Sequence, residues 1–168
     1  GNLEAVDRTL ARIARRGAHE TGFVEQRFLR FLDAPVESSG RLSYRPPDRL
    51  ERITDKPKAE SMVLDGDTLS MTRDGKTRSL SVSQLPAVGA PVGRIRDLLA
   101  GNRSALEKRY RAIAQGDDEN WQLVLLPSDA ELATLVTRIV VAGQADRIAT
   151  IEIQQADGDR SLMTLRPA

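Results

Sequence analysis

GRLSYRPPDRL (40–50) and SMVLDGDTLSMTRDGK (61–76) decide the fold of this chain. In the second stretch the apolar residues mirror each other about Gly66 and Asp67. With those two as the turn, Leu64 faces Leu69 and Met62 faces Met71. A second turn at Asp74-Gly75 extends the meander. Ser61, Ser70 and Thr72 fall on the opposite face, so the sheet is wetted on one side and greasy on the other. The greasy side needs a cover.

Working outward, Leu3, Val6, Leu10 and Ile13 recur at spacings of three and four, with Arg8, Arg12, Arg15 and Arg16 between them. This predicts an amphipathic helix from Leu3 to Arg16, ended by Gly17. Phe23 to Leu32 is aromatic and branched enough for a long strand, and Asp33-Ala34-Pro35 marks a loop. Ser38 to Arg45 is the next strand. Pro46 and Pro47 supply no ladder donors and break it, and Arg49 to Thr54 resumes the sheet until Lys56-Pro57. Gln84 to Pro91 reads as a loose connection, followed by a short helix at Ile95, Leu98 and Leu99 that Gly101 ends. Leu106 to Ala114 and Trp121 to Leu126 read as a hairpin around a polar loop, with Trp121, Leu123 and Leu125 on one face. Ser128 followed by Glu131 has the pattern of a capping box and predicts a helical turn before a strand at Ile139 to Ala142. Arg147 to Gln155 and Arg160 to Arg166 form the last hairpin. A meander of about ten strands curls, because twist accumulates and open edges are a liability. The expected fold class is mainly β, an unclosed half-barrel covered by an N-terminal helix and a short inserted helix.

Composition limits what such a fold can do. The chain has 168 residues, 29% charged and 40% hydrophobic, which fits one globular domain spanning 1–168. Its 25 basic and 24 acidic side chains leave a net charge of +1, so no global field draws it to nucleic acid. With no cysteine, disulfides, thiolate metal sites and a cysteine nucleophile are excluded. The single histidine, His19, has no nucleophile motif to serve, and Asp117-Asp118-Glu119 sits where a solvated hairpin loop belongs. Asp65-Gly66-Asp67 and Asp157-Gly158-Asp159 lack the further oxygen ligands of a calcium loop. Neither catalysis, metal nor cofactor is expected.

In order and type, these segments resemble the LolA/LolB-like family, periplasmic carriers that move lipoproteins from inner to outer membrane in Gram-negative bacteria. Phe23 to Arg27 is similar to the family's first-strand motif, Gly40-x-Leu42 followed by basic-Pro-Pro to its second, and Leu64-Asp65-Gly66-x-x-Leu69 to its central hairpin. The Ile95 to Gly101 helix and the Trp121 to Pro127 strand fall in the matching places. There are departures. The family has an arginine before a single proline, associated with holding the lid closed, where this chain has Arg45 before Pro46-Pro47. Aromatics are only 4% of the chain, with Met62, Met71, Met163 and leucines in their place. The sequence also ends at Leu165-Arg166-Pro167-Ala168 without the main carrier's extra C-terminal strand.

The resemblance implies a non-enzymatic, monomeric carrier, periplasmic once a signal peptide is removed, whose concave cavity takes up lipoprotein acyl chains. The expected ligand-binding residues are Leu42, Tyr44, Met62, Leu64, Leu69, Met71, Leu80, Ile95, Leu98, Leu99, Trp121 and Leu123. Arg45 and Arg78 are lid or rim charges. Arg78 falls opposite Met71 if Asp74-Gly75 is a two-residue turn, which puts a cation on the apolar face at its mouth; a slip of register turns it to solvent instead. Arg12, Arg15 and Arg16 form a solvated helix face, with docking to an anionic membrane surface or a partner protein as the alternative. The implied partners are an acylated lipoprotein or lipid, an inner-membrane transporter or exporter and an outer-membrane acceptor, with transient membrane contact. Two alternatives stand beside this. One is a carrier of a free fatty acid, glycolipid or other envelope lipid, and the other is a protein-interaction module with a filled core.

Overall fold

The computed structural model describes residues 2–83 and 86–167. In chain order the elements are α1 (Asn2–Ala14), β1 (His19–Phe28), β2 (Val36–Arg45), β3 (Arg49–Lys56), β4 (Glu60–Asp65), β5 (Thr68–Arg73), β6 (Lys76–Ser81), α2 (Pro86–Ala100), α3 (Arg103–Glu107), β7 (Tyr110–Gly116), β8 (Trp121–Pro127), α4 (Ala130–Ala133), β9 (Val136–Gln144), β10 (Arg147–Gln155) and β11 (Arg160–Pro167). The eleven strands form one antiparallel sheet in the order β6-β5-β4-β3-β2-β1-β11-β10-β9-β8-β7, not closed into a barrel. The first and last strands meet at its centre, where Phe23 pairs with Leu165 and Glu25 with Met163. The open edges are β6 and β7. Asn2 covers part of the β7 edge, since its side chain both donates to the Ala114 carbonyl and accepts from the Ala114 amide at 2.9 Å.

The central hairpin has the expected register. Leu64 pairs with Leu69 and Met62 with Met71, while Ser61 meets Thr72 on the other face. Gly66 and Gly75 take the positive φ that these tight turns require. Across β10 a bulge between Ile148 and Thr150 matters for the core. It lets Ile148 and Ile151, three residues apart, both pair with same-face residues of β9, Gly143 and Val141.

Several expectations need correction. The first strand runs from His19 to Phe28, so Leu29 to Leu32 lies in the β1–β2 loop, with Phe31 78% exposed. The stretch from Pro86 to Pro91 is helical and belongs to α2, while 84 and 85 of the expected connection lie outside the described residues. Arg103–Glu107 forms α3, so the strand expected from Leu106 begins only at Tyr110. Asp129, one residue after Ser128, is the N-cap of α4, accepting from the Leu132 amide at 2.6 Å. Leu3 faces solvent and Thr9 joins the buried stripe of α1 with Val6, Leu10 and Ile13.

Candidate functional site

The register builds the concave face in rows, because paired residues of an antiparallel ladder share a side. Tyr44, Leu50, Leu64, Leu69 and Leu80 form one row across β2 to β6. The next row is Leu42, Arg52, Met62, Met71 and Arg78, and the one beyond is Gly40, Thr54, Glu60, Arg73 and Lys76. This half of the face therefore grades from apolar to charged. On the other half the rows stay apolar: Ile151, Val141, Leu123 and Ala114 in one, Ile153, Ile139, Leu125 and Ala112 in the next.

The helices cover the apolar end. Val6, Leu10 and Ile13 of α1 and Ile95, Leu98 and Leu99 of α2 join Leu64, Leu69 and Leu123 in one hydrophobic cluster. Gly101 ends α2 at φ +63, and a Cβ there would overlap the Leu10 carbonyl, so the two helices touch through it. Leu64, Leu69 and Leu123 have no exposed surface, whereas Met62, Met71 and Ile153 are only half-buried. The face is thus sealed under α2 and open beyond it.

Two arginines organise its polar part. Arg96 of α2 donates through Nη1 to the Gly66 carbonyl at 2.6 Å and the Asp48 carbonyl at 3.1 Å, tying the helix to the β4–β5 and β2–β3 turns. Arg52 lies 4.7 Å over the Phe23 ring and pairs with Glu25 at 3.3 Å, both side chains under one-fifth exposed. It reaches them across Gly40, where a Cβ would overlap the Ile53 carbonyl. Burial pushes the Asp97 carboxyl up, against the pull of Arg96. His19 is half-buried, with Nδ1 2.8 Å from the Gly17 carbonyl and the ring edge-on to Tyr44, and burial holds its pKa below the ordinary value. Arg12 departs from the expected solvated face, being mostly buried and paired with Asp118 at 2.7 Å.

A family model described as outer membrane lipoprotein carrier protein LolA-like matches residues 2–167. The chain belongs to this family. Solved structures with the same fold include a LolA superfamily protein from Nitrosomonas europaea, at 9% identity and TM-score 0.50, covering 99% of this chain and 93% of that one. A putative outer membrane lipoprotein-sorting protein domain from Vibrio parahaemolyticus matches at 12% identity and TM-score 0.52, covering 98% and 89%. A DUF1329 family protein from Desulfovibrio piger matches at 11% and 0.52, covering 99% and 93%. No curated protein matches the sequence. Among the described residues no helix is long and apolar enough to cross a membrane.

In this LolA-like chain Leu42, Tyr44, Leu64, Leu69, Ile95, Leu98, Leu99, Trp121 and Leu123 are buried in the cluster, with Met62, Met71 and Leu80 packed at its margin. Trp121 is pinned at one end, its Nε1 donating to the Ala145 carbonyl at 2.9 Å and its ring lying on Gly143. Arg78 does stand opposite Met71, and its side chain is exposed. Arg45 is exposed at the end of β2, and the arginine that ties α2 to the strand turns is Arg96. Sequence reading missed Arg96, Arg52 and Glu25, because their partners are set by tertiary register rather than by spacing along the chain.

Proposed function

We propose that this chain is a non-enzymatic, monomeric carrier of the periplasm, acting as a single domain, that lodges acyl chains on the concave face and moves lipoproteins between inner and outer membrane. Family membership supports the carrier role. The observation that carries it is an unclosed sheet whose concave apolar face is sealed by α2 at one end and left half-open at Met62, Met71 and Ile153. An acyl chain laid there gains about 0.8 kcal/mol for each methylene removed from water. Entry to the deeper leucines requires α2 to move off Leu64, so loading and release are coupled to a helix that partner proteins can displace. An inner-membrane transporter would load the carrier and an outer-membrane acceptor would empty it, with Arg78 at the rim facing either.

The test is binding of a fluorescent acylated peptide to the full chain and to Met71→Asp. Met71 is half-buried, so the variant can keep its fold, checked by circular dichroism. A folded variant with at least about tenfold weaker binding supports this reading, since a charge on the floor opposes an apolar chain. Unchanged binding places the acyl chain elsewhere. No binding to the unmodified protein points to a protein-interaction module with a filled core.

A further inference from the structure

Arg94, on α2, is a cation on the concave side that the ion pairs among the described residues leave over. Its guanidinium lies 5.8 Å from the centre of the Tyr110 ring. Tyr110 precedes Ala112 by two residues on β7 and so shares its concave side. Among the described residues the Nη1 of Arg94 is shut off from solvent and meets no acceptor. Its titratable neighbours include the Tyr110 phenol, which burial keeps neutral, and a second guanidinium, Arg109, which is itself held by Asp129 at 3.2 Å. Arg52, an interior arginine of the same face, has Glu25 as partner, and Arg73 further out has Glu60 at 2.7 Å. A half-buried guanidinium without an acid opposes folding unless something anionic reaches it. Its planar fork fits a carboxylate or phosphate through two parallel hydrogen bonds. Beside it runs the apolar row of Ala112, Leu125, Ile139 and Ile153, of which Leu125 and Ile139 have no exposed surface, so a chain lies along the row only once its cover has moved.

We propose that Arg94 anchors the oxyanion headgroup of an acyl lipid, a carboxylate or a phosphate, while the chain lies along the neighbouring apolar row. This rests on the carrier reading and sharpens it. The esters and amides that bear the acyl chains of a lipoprotein carry no charge and do not engage it, so Arg94 adds an acidic lipid to the cargo that the face accepts.

Displacement of a fluorescent acyl probe from the full chain by oleate, phosphatidic acid, methyl oleate and inorganic phosphate tests it, with Arg94→Gln and Arg94→Lys beside the wild type. The wild type should bind oleate or phosphatidic acid at least about tenfold tighter than methyl oleate, the usual worth of a charged hydrogen bond. Arg94→Gln should erase that preference, leave methyl oleate unchanged, and melt no lower than the wild type when unliganded. Arg94→Lys should keep part of the preference. Whichever acid binds tighter names the source, fatty acid or phospholipid. Equal affinity for acid and ester, a preference retained in Arg94→Gln, displacement by phosphate alone, or a lower melting temperature for that variant overturns the anchor while the carrier stands. If no acyl probe binds at all, the carrier reading itself falls.

Discussion

Arg96→Ala should loosen α2 without unfolding the sheet. The guanidinium makes two hydrogen bonds to strand-turn carbonyls, at 2.6 Å and 3.1 Å, in a partly exposed setting. Together they contribute about 1–2 kcal/mol, and losing them shifts the balance between docked and undocked α2 by a factor of about 5–30. The helix stays mostly docked, because Ile95, Leu98 and Leu99 are buried at 8%, 1% and 3% exposure and each contributes about 1.5–3 kcal/mol. Hydrogen exchange resolved along the chain reads this directly. The amides of α2 should exchange about 5–30 times faster than in the wild type, those of β1, β2 and β11 should keep their rates, and acyl-probe uptake should quicken by a similar factor. Unchanged exchange in α2, or an equal rise throughout the sheet, would refute the idea that Arg96 holds a separately moving cover.

Gly40→Ala should lower stability by about 1–3 kcal/mol or more in urea titration, since the added methyl overlaps the Ile53 carbonyl and presses on the Thr54 Cα; an unchanged midpoint would show that β2 and β3 can shift at little cost. His19 gives a pH dependence. Burial lowers its pKa in the fold below 6.5, so the unfolded chain binds the proton more readily, and the stability fully present above that value falls as pH drops below it. Melting temperature should therefore decline from pH 7.5 to 5.5 in the wild type and decline less in His19→Gln, whereas parallel profiles would exclude His19 as the cause.

Much of the fold was legible where local chemistry and tertiary need agree. The Gly66-Asp67 and Asp74-Gly75 turns, the mirrored Leu64/Leu69 and Met62/Met71 pairs and the Pro46-Pro47 break mark out β2 to β6 in the sequence. Elsewhere composition misled. The Pro-, Ala-, Val- and Gly-rich start of α2 has the residues of a loop, yet Pro86 opens the helix, at a position where a missing amide costs nothing. Phe31 and Leu32 have strand-like side chains but lie past the last residues that β2 and β11 can pair. The face on which the apolar strand residues lie was readable because alternation sets it. Arg52, Arg94 and Arg96 were not, because what each meets depends on three or more elements brought together by the sheet.

The most direct test of acyl carriage is photo-crosslinking from Met71 in native cells, with adducts identified by mass spectrometry. Adducts to acylated molecules, lipoproteins or acidic lipids, that do not form from Thr77 on the exposed side of β6 are expected. No adduct from Met71, or the same adducts from both positions, would contradict the claim that the concave face holds the cargo.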